Sequence, residues 1–245
     1  MMETGLRFGR TQPHVCGYFS DRVAQSVVVM PDSPALSALY ENGLECGFRR
    51  SGPMLYAPRC PDCRACIASR VPVAEFRPNR SQRRCAARNR DLGVRLVPAA
   101  YGEEHFALYR RYLDARHPDG GMDTGAPADF ARFLFADWSP THLLEFRLEG
   151  RLLAVAVTDV CVHSLSAVYT FYDPEHPARG LGTFAVLSQI ELARQRGAEH
   201  LYLGFWIPDH PKMGYKARFR PIEILLDHAW RPMEEGTHAP SAYPG

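Results

Sequence analysis

Apolar positions along the chain fall into two regimes. In the first third they form short extended runs broken by Gly, Pro and Cys. Beyond residue 94, stretches with helical and strand spacing alternate. Residues 23–30 read as a strand. Ser33 offers an oxygen to free backbone N–H groups, Pro34 suits the first helical position, Leu36, Leu39 and Tyr40 share a face, and Gly43 can close that helix. Residues 47–52 and 54–56 suggest a hairpin, 58–66 a loop and 67–73 another strand. A basic helix can start at Asn79 or Ser81 and stop near Gly93. Further on, helical spacing covers 103–117 and 129–138, with a turn-rich connector at 118–125 that reads as a linker or a substrate-covering loop. Strands are expected at 142–148, 152–160 and 165–172, with Glu149-Gly150 as the turn between the first two. A helix at 183–196, a strand at 200–206, a helical turn around 212–219 and a strand at 222–226 complete the pattern, before a loose tail at 231–245.

These elements imply an α/β (α+β) protein with mixed sheet. A soft boundary separates a Cys- and Arg-rich module, 1–93, from a larger unit, 94–230. The chain has 245 residues, of which 46% are hydrophobic and 23% charged, within the globular range. The run Val27-Val28-Val29-Met30 ends at Pro31, far short of the roughly 20 residues that cross a bilayer, and no signal peptide is read, so a cytoplasmic protein is expected. The net charge of +2 conceals a gradient: between Gly47 and Arg90 eleven Arg stand against Asp62 and Glu75. Such asymmetry suits a polyanionic partner or a solvated face. Only two Lys occur in the chain, Lys212 and Lys216, four residues apart.

Seven cysteines without a secretory context argue against a disulfide framework. The Cys60-x-x-Cys63-x-x-Cys66 spacing can turn several thiolates towards one ion, with Cys16 as the best outside ligand and Cys46 and Cys85 behind it. A zinc ion or an iron-sulfur cluster is thus a candidate, set against a loop of small buried residues.

The order of antiparallel strands, then Arg179-Gly-Leu-Gly-Thr183 opening a helix, then one more strand, resembles that of GNAT-type acyltransferases. Gly182 and Thr183 would sit where exposed N–H groups and the positive helix end hold a phosphate or an oxyanion. Members that use coenzyme A carry a small residue where this chain has Phe184. A bulky ring there would obstruct a pyrophosphate, so a different acyl donor is expected.

Several stretches together resemble the bacterial branch of the aminoacyl-tRNA–protein transferases. They are Cys16-Gly-Tyr18, Gly47-Phe-Arg-Arg-Ser-Gly52, Tyr56 with Pro58, Cys60-x-x-Cys63-x-x-Cys66, Arg70-Val71 and Phe76-x-Pro78-x-Arg80-Ser-Gln-Arg-Arg84. In the second half they are Ala167-Val-Tyr-Thr-Phe-Tyr-Asp173, Leu181-Gly182-Thr183, Gly204-x-Trp206-Ile207 and Lys212-Met-x-Tyr-Lys216-x-x-Phe-x-Pro221. The resemblance implies an enzyme moving leucine from leucyl-tRNA to the N-terminal α-amine of proteins that begin with Asp or Glu, a degradation signal, with no cofactor required for transfer. The related eukaryotic arginyltransferases begin Cys-Gly-Tyr-Cys and bind metal or an iron-sulfur cluster there. This chain has Phe19 at the second cysteine. Partners would be aminoacyl-tRNA and acidic N-termini, with neither membrane nor DNA. Rival readings are an arginyl donor, an acetyl-coenzyme-A-dependent N-acetyltransferase, and a non-catalytic metal-stabilised RNA-binding module.

Such a reaction assigns roles by chemistry. Arg70, Arg80, Arg83 and Arg84 can contact tRNA phosphates, which Arg does bidentately and without reading much sequence. An acidic side chain needs a guanidinium or ammonium in a pocket, for which Arg49, Arg50, Lys212, Lys216, Arg218 and Arg220 are candidates, with Tyr56 and Tyr215 beside them. Aminolysis of an ester depends mainly on positioning, and Tyr169, Tyr172 and Asp173, at the end of a strand beside the glycine turn, are the catalytic candidates.

Overall fold

Strand pairing in the computed structural model gathers the chain around one large mixed sheet. Residues 6–30, 35–116, 126–208, 210–234 and 236–237 are described. The expected cap Ser33, Pro34, the connector 118–125 and the tail from 238 onward lie outside them. In order, the elements are β1 (Phe8–Arg10), β2 (His14–Val15), β3 (Val23–Ala24), β4 (Ser26–Val29), α1 (Leu36–Glu45), β5 (Arg49–Ser51), β6 (Met54–Pro58), β7 (Ile67–Pro72) and α2 (Arg80–Arg88). Then come β8 (Gly93–Pro98), α3 (Glu103–Arg116), α4 (Pro127–Leu134), β9 (Thr141–Leu148), β10 (Arg151–Val160), β11 (Ser164–Tyr172), α5 (Leu181–Gln195), β12 (His200–Trp206), β13 (Glu223–Leu226) and β14 (Ala229–Pro232).

The large sheet runs β14-β13-β7-β12-β11-β10-β9-β8, beside a four-stranded sheet β1-β4-β6-β5 and the pair β2-β3. β7, from the Cys- and Arg-rich stretch, therefore lies between β12 and β13, so residues 1–93 contribute to both sheets. β11 and β12 pair in parallel, and α5 is the crossover that parallel neighbours require. Their ladder joins only Ser164 to His200, Leu165 to Leu201 and Ser166 to Tyr202. Past that point each strand carries a bulge, at Val168 on β11 and at Leu203 on β12, before Gly204 at φ 81°. The two strands then diverge.

Apolar faces are buried on both sides of this sheet. Val186, Ile190 and Ala193 of α5 pack with Leu165 and Leu201. On the other face Leu108, Tyr109 and Leu113 of α3 and Phe130 and Leu134 of α4 pack with Val155, Val157 and Phe171. α1 covers the small sheet through Leu36, Tyr40 and Leu44. Asn79 caps α2 in a capping box: the Gln82 N–H donates to the Asn79 side chain at 3.0 Å, and the Asn79 N–H to Gln82 at 2.8 Å. Gly52, at φ 53°, turns β5 into β6 so close to α4 that a Cβ would meet the Arg132 carbonyl oxygen at 2.2 Å.

Several expectations are corrected. The strand at 23–30 is interrupted into β3 and β4. Gly43 lies inside α1, where a Cβ would be 3.2 Å from Leu55, so it permits close packing instead of ending the helix. The helix placed at 129–138 is the shorter α4. β1, β2 and β8 had no legible pattern, and β14 takes Arg231 and Pro232 from the expected tail. Among the described residues no helix is long and apolar enough to cross a membrane.

Candidate active site

The divergence of β11 and β12 opens a gap at their C-terminal ends. α5 begins beside it: Gly180, at φ 63°, precedes the helix, and Gly182 lies so close to Tyr172 that a Cβ would be 3.3 Å from the ring. The helix thus presents its unpaired N–H groups and positive end next to the Tyr172 phenol. Arg116, at the end of α3, donates to the Tyr172 hydroxyl at 3.1 Å. Tyr112 stacks edge-on against Tyr172 at 4.9 Å, and its phenol is pushed up to about 12 by burial first and by Tyr172 next. The 3-10 turn Gly214–Arg218 lies across the β12 side, with Tyr215 exposed at 41% and Lys216 at 4%.

Lys216 and Arg49 form a buried pair of cations. Lys216 Nζ donates to the Phe205 carbonyl at 2.8 Å, and its pKa is lowered to about 7, by burial first and by Arg49 second. Arg49, only 5% exposed, donates to the carbonyls of Phe48 at 2.5 Å, Leu44 at 3.3 Å and Ser69 at 3.4 Å. Its guanidinium lies 5.1 Å from the Tyr202 ring and 5.7 Å from that of Phe205. Burial lowers its pKa to about 10, and its Nε has no hydrogen-bond partner among the described residues. Neither cation has a carboxylate in ion-pair range among the described residues. Tyr56, edge-on to Phe205 at 5.9 Å, completes this wall, its phenol raised by burial.

The other expected site residues have different surroundings. Arg50 is also 5% exposed, but it grips Asp159 through Nε at 2.7 Å and a second nitrogen at 2.9 Å, and donates to Thr141 and to the carbonyls of Gly52 and Leu134. It holds β5 to β10. Arg70 pairs with Glu45 and Glu223, both at 2.6 Å, near the start of β12 and away from the gap. The Asp173 carboxylate, fully buried, meets Arg151 at 2.7 Å and Arg111 at 3.6 Å and accepts the Glu175 N–H at 3.0 Å. Arg220 donates to the Met233 carbonyl, while Lys212 and the Arg218 side chain are exposed. Tyr169 faces α3 and α4 with its hydroxyl unpartnered. Thr183 follows Gly182 in the first turn of α5.

Arg80, Arg83 and Arg84 lie exposed on α2, with Arg77, Arg88 and Arg90 nearby. This basic face is braced against the glycine turn. Arg179 pairs bidentately with Asp91 at 2.7 and 2.8 Å, and the Asn89 and Cys85 side chains donate to the Arg179 and Gly180 carbonyls. Phe184 corrects the coenzyme A argument. Its ring packs in the core against Phe146 at 5.4 Å, so it does not fill the mouth of the turn.

The four cysteines suggested as ligands approach one another but do not form a metal site. Burial, then Cys16, Cys60 and Cys63, push the Cys66 thiol up to about 12. Cys16 accepts from the Tyr18 N–H at 3.4 Å, Cys63 from Arg22 at 3.2 Å, and Cys60 donates to the Gln25 carbonyl at 3.7 Å. Among the described residues no group of three or more Cys, His, Asp or Glu is disposed to hold a metal ion. As arranged, these thiols do not fit a bound cluster.

Sequence reasoning overlooked Arg116, Tyr112 and Phe205. Only the aromatic content of 103–117 signalled Tyr112, and there it read as core; nothing local marked Arg116 or Phe205.

Comparison with known proteins agrees with the geometry. The families described as "Arginine-tRNA-protein transferase, N terminus" and "Arginine-tRNA-protein transferase, C terminus" match residues 14–84 and 104–226. An aspartate/glutamate leucyltransferase of Stenotrophomonas maltophilia (strain K279a) is 54% identical over 235 residues, covering 94% of each chain. Proteins of the same name from Xylella fastidiosa (strain 9a5c) and Xanthomonas campestris pv. campestris (strain B100) are 51% and 53% identical, the first covering 93% of this chain and 92% of its own and the second 95% of each. The crystal structure of FemX shares the fold, with a TM-score of 0.52 at 11% identity over 90% of this chain and 86% of that one. With a split sheet, a glycine turn opening a helix, and relatives matched along nearly their whole length, the chain belongs to the arginine-tRNA-protein transferase family.

Proposed function

We propose that the protein transfers the leucyl group of leucyl-tRNA to the α-amine of proteins that begin with Asp or Glu. The observation that carries this reading is the buried pair Arg49 and Lys216, two basic side chains beside the gap without a carboxylate partner among the described residues. Burying charge unpaired is costly, and an entering acidic side chain supplies the missing partner. Aspartate/glutamate leucyltransferase is also the name of the relatives that cover most of the chain.

The amine attacks the leucyl carbonyl carbon, an amide C–N bond forms, the ester bond to the ribose oxygen breaks, and the amine's proton passes to that oxygen. An α-amine with a pKa of about 7.7–8.0 is partly neutral near pH 8, so positioning matters more than a strong base. The Tyr172 hydroxyl accepts from Arg116 and keeps its own proton for the oxyanion or the departing oxygen. The first turn of α5, with Gly182 and Thr183, supplies N–H groups to the same end. Arg80, Arg83 and Arg84 engage tRNA phosphates, and a tRNA donor places the reaction in the cytoplasm. No cofactor is assigned to the transfer. In this division of labour, 1–93 brings Arg49 and the basic helix, and 94–230 brings the gap.

Mixing the purified protein with leucyl-tRNA or arginyl-tRNA and with peptides beginning in Asp, Glu or Ala tests the reading. Leucine should be transferred to the Asp and Glu peptides and not to Ala. Transfer from acetyl-coenzyme A alone, or from neither tRNA, overturns it.

A further inference from the structure

Arg49 and Lys216 are 5% and 4% exposed, so an acidic side chain reaches them only when part of what covers them moves aside. The segment built to move is the tip of the β2–β3 hairpin, residues 16–22. β2 and β3 pair only with each other among the described residues, and none of residues 11–28 is buried. The base of the hairpin is fixed. The Thr11 N–H donates to the Ser26 carbonyl at 2.9 Å, the Ser26 N–H to the Thr11 hydroxyl at 2.9 Å, and the Gln25 side chain to the Thr11 carbonyl at 3.1 Å. The tip is held together by its own bonds, from the Cys16 N–H to the Arg22 carbonyl at 2.9 Å and from the Arg22 N–H to the Phe19 carbonyl at 3.1 Å. A fixed base and an exposed, internally bonded tip are the anatomy of a lid.

Few contacts fasten this tip to the body. Arg22 donates to the Cys63 sulfur at 3.2 Å. The His210 ring lies edge-on to Tyr18 at 5.5 Å and to Phe19 at 5.6 Å, and its Nε2 meets the Tyr18 carbonyl at 3.3 Å. Its Nδ1 accepts the Lys212 N–H at 3.2 Å, which leaves the ring proton on Nε2 for the Tyr18 carbonyl. The His210 carbonyl in turn accepts the Met213 and Gly214 N–H groups at 3.1 and 2.8 Å, at the start of the turn that carries Lys216. Inward, the Tyr18 phenol is raised by burial first and then by Tyr56, Cys66 and Cys16. Tyr56 also borders Arg49, and Cys66 borders Lys216, so the Tyr18 hydroxyl stands between the two groups that flank the buried pair.

We propose that residues 16–22 are a lid over Arg49 and Lys216, latched by His210, which opens for the acidic side chain of the acceptor and closes with the Tyr18 hydroxyl donating to its carboxylate. The proposal rests on the reading of Asp and Glu N-termini as acceptors. A carboxylate under the closed lid meets two basic groups and a phenol away from water. A neutral amide of the same shape, as in Gln, leaves the basic groups without an anion and gives the lid little to close on.

The test joins hydrogen exchange of the whole chain to transfer kinetics with leucyl-tRNA. Amide exchange across 16–22 should slow in the presence of a Glu-initiated peptide and stay as it is with the matching Gln-initiated peptide. Tyr18→Phe should raise KM for the Glu-initiated peptide about tenfold, the size of a hydrogen bond to a charged group, with kcat and the Kd for uncharged tRNA unchanged. His210→Ala should speed exchange of 16–22 and raise the same KM. His210→Gln, whose side-chain amide can again donate to the Tyr18 carbonyl, should recover much of that loss. Because none of the latch contacts lies in a core cluster, Tm should barely move in any of the three variants. Exchange at 16–22 that ignores the Glu-initiated peptide, an unchanged KM in Tyr18→Phe, or weaker binding of uncharged tRNA in that variant overturns the lid while wild-type transfer stands. No transfer to Asp- or Glu-initiated peptides by the wild-type enzyme overturns the acceptor reading and the lid with it.

Discussion

Arg49 and Arg50 are consecutive on one strand, equally hidden from solvent, and opposite in electrostatic condition. Alternation sends their side chains to different faces. Arg50 enters a closed network: Asp159 takes two of its bonds, Thr141 and two carbonyls take others, and the Tyr40 hydroxyl completes Asp159 at 2.6 Å. Arg49 has carbonyls and aromatic faces but no anion among the described residues, and its neighbour is a second basic group, Lys216. Burial alone therefore does not mark a functional cation. The absence of a balancing charge does.

The largest effect should come from breaking the closed network. Asp159→Leu strands a buried guanidinium and should cost about 3–5 kcal/mol of stability, read as a lower denaturation midpoint. Arg49→Met should have the reverse profile. Removing an unbalanced buried charge should leave the midpoint unchanged or raised, while kcat/KM for Glu-initiated peptides falls on the order of 100-fold, as for loss of a charge-assisted contact. Equal damage to stability from both variants would erase the distinction between the two regions.

Lys216 sharpens it through pH. Its folded-state pKa of about 7 lies below the ordinary 10.5, so between those values the unfolded chain holds a proton that the folded chain has lost. Its contribution to stability thus rises with pH across that window and is lost towards and below about pH 7. A carboxylate in the pocket favours the ammonium, so binding above pH 7 takes up a proton. Affinity for a Glu-initiated peptide should fall up to about tenfold between pH 7.5 and 8.5 in titration calorimetry, with a heat that varies with the buffer, and Lys216→Met should flatten the profile. The smallest effect belongs to the exposed arginines. Arg80→Gln, Arg83→Gln and Arg84→Gln should each reduce the salt slope of tRNA binding by about one and leave acidic-peptide selectivity intact.

Local signals made much of this legible. The start of α2, at Asn79 of the two candidates, the glycine turn before α5 and the strand run around it are each written within a few residues, and each is found. β1, β2, β8 and β14 were not legible, because they are short or largely exposed and lack an alternating apolar face. Nor could Arg49 be told from Arg50, since Asp159 lies 109 residues further along. The same limit applies to Asp173, whose arginine partners come from α3 and β10. Tyr112 read as core because helical spacing reports burial and says nothing of the Tyr172 ring beside it. Phe184 was judged from its place in a motif, and packing against Phe146 decided its direction.

The position of β7 has a consequence for the integrity of the chain. Its partners on both sides come from the far end of the sequence, so a cut after residue 93 would leave one fragment holding a strand without neighbours and the other a sheet with a missing rung. β13 and β14 would lose their anchorage, and with them the segment carrying Lys216. Each fragment alone should be inert and prone to stick through bare strand edges, and activity should return only when the two are produced together. The cationic pair is then a kind of seal: Arg49 and Lys216 meet only once both ends of the polypeptide have been assembled.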